Sequence, residues 1–137
     1  MLSKKEYMTK AFATMQLVDG VIMFLIAILY GAAYFLNVAN NTNNNLSTAD
    51  KLLIMLFILI FFTASVLTFM SGRLARAEIS KKEISKGTKV MIVVSGIISA
   101  IALVIFFLMG FLSTALVYIF FAANSFILFS RLKNKSE

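Results

Sequence analysis

Residues Val90 to Ser130 form an uncharged run of 41 residues, and this feature constrains the fold most tightly. As one helix, at 1.5 Å per residue, the run would reach roughly 60 Å, about twice the thickness of a bilayer's hydrocarbon. It therefore has to fold back on itself. Gly110 sits at its midpoint, followed by Ser113 and Thr114, and glycine permits the backbone conformations a tight reversal needs. The reading is two spans, about 90–109 and 112–130, joined by a very short turn. Lys89 and Arg131 flank the run, which puts both of its ends on one side.

Two further apolar stretches precede it, about 13–38 and 52–70, each long enough to cross. The first is too long for the apolar region of a signal peptide and lacks a well-placed small-residue cleavage site. The expected fold class is therefore an all-α integral membrane protein, a four-transmembrane-helix bundle forming one membrane domain over residues 1–137. Composition agrees. Apolar residues make up 61% of the chain and charged residues 14%, against roughly 45–50% and about 25% in soluble domains. So little charge cannot cover the surface of a water-soluble globule, and so much apolar surface excludes a disordered chain.

Orientation follows from the cations. Lys4, Lys5 and Lys10 precede the first span. Arg73, Arg76, Lys81, Lys82, Lys86 and Lys89 lie in the basic stretch 71–89, and Arg131, Lys133 and Lys135 follow the fourth span. Of the 13 basic residues only Lys51 falls on the other side. By the positive-inside rule both termini and the 71–89 stretch face the cytoplasm of a plasma membrane. The abundance of Lys, Asn and Ile suits an AT-rich, bacterial genome. Arg73, Arg76, Lys81, Lys82, Lys86 and Lys89 are candidates for anionic lipid headgroups or for docking a partner. Nucleic acid is not expected, because the charges are dispersed and carry no aromatic platform.

The basic stretch reads as a continuation of the second span by three or four helical turns, with a hinge at Gly72 and a stop at Gly87. On the opposite side, the Asn-rich connection 39–51 reads as a solvated connector. Its Ser47 and Asp50 are spaced as a capping box for the second helix.

Chemistry is limited by what the chain lacks. With no Cys and no His it has no disulfide, no thiol nucleophile and neither of the commonest metal ligands and bases. No cofactor, no metal and no catalytic residue is expected. Polar residues within spans are the remaining candidates. Gln16, Asp19, Ser65, Thr68, Ser95 and Asn124 all fall in the cytoplasmic half of the four-span arrangement, which suggests a polar cluster or binding pocket around Asp19 and Asn124. The bland alternative is interhelical packing glue. Ala27 with Gly31, and Gly96 with Ala100, have the small-residue spacing of close helix contacts. The 14 Phe residues suit lipid-facing bulk and core filling.

The preferred function is an accessory, regulatory or immunity-type membrane component that acts by helix packing against a membrane-protein partner; a homo-oligomer is the other assembly expected. One alternative is a homo-oligomeric small transporter or channel using Asp19, and a second is a holin-like protein.

Overall fold

The computed structural model describes residues 4–39, 48–79 and 84–135. Four helices account for nearly all of them: α1 (Lys4–Ala39), α2 (Thr48–Glu78), α3 (Lys86–Leu108) and α4 (Leu112–Lys135). There is no strand among the described residues. All four are long and apolar enough to cross a membrane. Consecutive helices pack side by side, and α4 closes back on α1, giving an up-down-up-down bundle.

The turn between α3 and α4 is built by hydrogen bonds of the Schellman type. Gly110 adopts φ 85°, the left-handed conformation open to glycine. Its N–H donates to the Phe107 carbonyl at 3.1 Å, and the Phe111 N–H donates to the Phe106 carbonyl at 2.9 Å. The Phe106 and Phe111 rings meet at 6.4 Å, the apolar contact that usually accompanies this motif.

The inner connection differs from expectation. Helix α2 runs through Gly72 without a break and ends at Glu78, about two turns beyond Met70 rather than three or four. Gly87 is not a stop; it lies in the first turn of α3. The physical reason is a local competition for Glu78. Its carboxylate accepts from the Ser85 N–H at 3.2 Å, from Ser85 Oγ at 3.2 Å and from Thr88 Oγ1. Ser85 is at the same time the N-cap of α3, accepting from the Thr88 N–H. The acid at the end of α2 thus helps satisfy the start of α3, and a new helix begins where a continuous one was expected. Ser47, Lys81 and Lys82 lie outside the described residues.

The closest helix contact is between α1 and α2. A Cβ placed on Gly20 would stand 2.7 Å from Phe69 Cβ, and one on Gly72 would stand 2.8 Å from the Leu17 nitrogen and 2.9 Å from the Ala13 oxygen. Both glycines are therefore required for the two backbones to approach this closely. By contrast, a Cβ on Gly31 would meet only Ile58, at an ordinary 3.7 Å. Gly96 is tighter, with Ser125 Cβ and Phe126 at 3.2 Å. Ala27 is fully buried and Ala100 half-buried.

The half of the bundle near the Gly110 turn is filled with aromatic rings. Phe61 and Phe106 stack at 4.2 Å, Tyr118 joins Phe106 at 5.1 Å, and Tyr30 packs on both Phe106 and Phe111. Other Phe residues point outward; Phe107 is 60% exposed and Phe120 74%. The outward faces of all four helices are dominated by Leu, Ile, Val, Met and Phe.

Candidate functional site

The buried polar residues of the other half converge on one side chain. Gln16, on the inward face of α1, is completely buried. Its Nε2 lies 3.1 Å from Ser71 Oγ on α2, 3.1 Å from Ser95 Oγ on α3 and 2.7 Å from Ser125 Oγ on α4. Its Oε1 accepts from Asn124 Nδ2 at 2.8 Å. A single amide therefore joins all four helices.

Proton bookkeeping explains the polarity of this node. Ser71 donates its hydroxyl hydrogen to the Thr68 carbonyl and Ser95 donates to the Ile92 carbonyl, each at 2.8 Å. Both serine oxygens are thereby left as acceptors facing the glutamine amide. A primary amide has two hydrogens, so Ser125, at the shortest distance, takes one and Ser71 and Ser95 share the other. Asn124 uses its own two hydrogens on Gln16 Oε1 and on the Phe12 carbonyl at 3.2 Å. Ser125 also lies 3.3 Å from Ser95.

The six residues singled out as a polar cluster divide evenly. Gln16, Ser95 and Asn124 are joined directly. Ser65 bonds the carbonyl of Phe62 on its own helix at 2.6 Å. Thr68 Oγ1 is buried and makes no hydrogen bond among the described residues. Asp19 is 9% exposed and stands one turn from Gln16, with no bond to the node. The centre of the cluster is thus Gln16, rather than Asp19 with Asn124. Two further members, Ser71 within the basic stretch 71–89 and Ser125 in the fourth span, are not among the sequence candidates. Ser71 follows Thr68 by three residues, close to one helical turn, and Ser125 adjoins Asn124 in the chain. That spacing was the available signal. Three further buried oxygens, Ser99 Oγ, Tyr118 Oη and Asn124 Oδ1, also lack a partner among the described residues.

Around the charged end of the bundle, Arg73, Arg76 and Lys86 are exposed and Lys89 is half-buried. Arg131 sits over the Phe12 ring at 4.9 Å, a cation–π contact that ties α4 to α1. No group of three or more acidic residues could hold a metal ion among the described residues.

The Gln16 amide is spent on the three other helices, and what it does chemically is hold them together. No family model, curated protein or solved structure matches this chain.

Proposed function

We propose that the chain is a four-span membrane protein with both termini cytoplasmic, working without catalytic chemistry as an accessory, regulatory or immunity-type component of a membrane system. The single observation carrying this reading is the Gln16 node. A conducting or carrying bundle keeps polar groups available along a pathway. Here the glutamine amide is engaged by all three other helices, and the opposite half of the interior is packed with rings. A closed interior leaves the outer surface as the working part. The apolar outward faces support residence in lipid, because they would be costly to leave in water.

The test is a pair of measurements on the full chain. Reconstituted in vesicles, it should pass no K⁺, Na⁺ or H⁺ above protein-free vesicles. Cross-linked in its native membrane, it should be recovered with another membrane protein in fixed stoichiometry. Flux through the wild-type chain, or recovery only as copies of itself, would overturn the accessory reading.

One observation favours the transporter alternative. Asp19 is a buried carboxyl that makes no hydrogen bond or ion pair among the described residues. Unpaired acids within a span are functional candidates by default. Flux that is present in the wild type and lost in Asp19→Asn would move the assignment to a carrier.

A further inference from the structure

Outside the packed interior, one surface feature combines shape with charge. A groove of about 210 Å³ lies between α1 and α2, lined by Gly20, Val21, Phe24, Ser65, Val66 and Phe69. It lies beside the close approach of Gly20 to Phe69, where glycine contributes no side chain. Its lining is almost wholly apolar. The one hydroxyl there, Ser65, already donates to the Phe62 carbonyl. The Phe24 and Phe62 rings meet edge to face at 5.4 Å toward the groove's far end.

The other end leads to cations. Arg73 follows Val66 by seven residues and Phe69 by four, so it stands on the same face of α2, about 6 Å further along the axis. Arg76 continues that face. On α1, Lys10 precedes Leu17 by seven residues and Val21 by eleven, which keeps it on the groove's side of that helix. Arg73 and Arg76 are exposed and Lys10 is half-exposed. Neither arginine forms an ion pair among the described residues.

We propose that this groove is a binding site for an anionic phospholipid. One acyl chain lies along Val21, Phe24, Val66 and Phe69, and the phosphate is held by Arg73, with Arg76 and Lys10 supporting it. Charge complementarity selects this occupant over a zwitterionic lipid. A dry, one-sided groove that leads to exposed guanidinium groups matches a molecule with an apolar tail and an anionic head. Guanidinium also recognises phosphate in a bidentate geometry. This inference rests on the membrane reading above and adds a defined lipid site to it.

The chain has no Trp, so a single introduced Trp reports its own surroundings. Phe24→Trp places the reporter in the groove, and Phe120→Trp places it on the 74% exposed face of α4. Each full-length variant is reconstituted in phosphatidylcholine vesicles containing a minor fraction of phosphatidylglycerol, with bromine on the acyl chains of one lipid or the other. At Phe24→Trp, brominated phosphatidylglycerol should quench with at least a fivefold preference over phosphatidylcholine, while Phe120→Trp shows none. Arg73→Gln in the Phe24→Trp background should cut that preference about fivefold, the effect of one surface cation on an anionic lipid. Arg73→Lys should give an intermediate preference, since it keeps the charge and loses the bidentate fork.

Equal preference at both positions, or a preference unmoved by Arg73→Gln, would overturn the lipid site while leaving the membrane reading intact. If brominated lipid of either kind reaches Phe120→Trp but not Phe24→Trp, protein covers the groove and the lipid site is likewise wrong. If neither Trp is quenched by any brominated lipid, the membrane reading itself fails.

Discussion

Replacing Gln16 by leucine tests the interior directly, because leucine is similar in size and cannot hydrogen-bond. The wild-type amide has three oxygens within reach of Nε2, at 2.7, 3.1 and 3.1 Å, and one donor on Oε1 at 2.8 Å. With two amide hydrogens available, about three of these bonds hold at once. Side-chain hydrogen bonds between membrane helices contribute ~0.6 kcal/mol each, so the direct loss is about 2 kcal/mol. The serines are not orphaned as donors, since Ser71 and Ser95 keep their bonds to the Thr68 and Ile92 carbonyls. Asn124 loses one acceptor and keeps the Phe12 carbonyl, which adds on the order of 1 kcal/mol for an unsatisfied buried N–H. Gln16→Leu should therefore destabilise the bundle by about 2–3 kcal/mol. The assay is reversible unfolding in mixed micelles followed by circular dichroism. Asn124→Leu on top of Gln16→Leu should cost about 1 kcal/mol less than its effect in the wild type, because its partner is already gone. A Gln16→Leu protein within 0.5 kcal/mol of wild type, or strict additivity in the double variant, would refute the view that one amide ties the four helices.

Other substitutions separate structural roles in the same assay. Thr68→Val removes a buried hydroxyl that has no partner among the described residues while keeping its shape, and should be neutral or stabilising by up to ~1 kcal/mol. Gly72→Ala should destabilise by about 1–3 kcal/mol, since its Cβ would enter the α1 backbone at 2.8–2.9 Å. Gly31→Ala, which meets only Ile58 at 3.7 Å, should be within 0.5 kcal/mol of wild type, or slightly stabilised through helix propensity. Glu78→Gln weakens the three bonds joining α2 to the start of α3. It should lower stability by about 1–2 kcal/mol and raise protease cleavage between residues 79 and 85.

The helices and the Gly110 reversal were legible because they rest on length and on one residue type. No single helix of 41 uncharged residues fits a bilayer, and the turn needs a left-handed residue where the chain supplies a glycine. The polar centre was legible in part. Gln16, Ser95 and Asn124 could be assigned to one depth, since antiparallel helices of known order bring such positions level. Which residue becomes the hub could not be read, because that depends on the rotation of each helix about its own axis. The same ignorance of rotation hid the α1–α2 crossing. Gly20 and Gly72 are the glycines of closest approach, while Gly31 of the better-spaced pair Ala27 and Gly31 leaves room for a methyl group. The inner connection departs from the sequence reading for a different reason. Helix propensity through 71–87 is favourable, and only the side-chain bonds that Ser85 and Thr88 donate to the Glu78 carboxylate show why α3 starts anew.

The central claim is a four-span chain with both ends and the basic stretch on the cytoplasmic side. A chain without Cys permits the most direct measurement, labelling of single introduced cysteines by a membrane-impermeant maleimide in intact cells. Asn43→Cys and Ser113→Cys should be labelled from outside, and Ser3→Cys, Ser80→Cys and Ser136→Cys only after the membrane is opened. Labelling of Ser80→Cys in intact cells, or protection of both Asn43→Cys and Ser113→Cys, would contradict it.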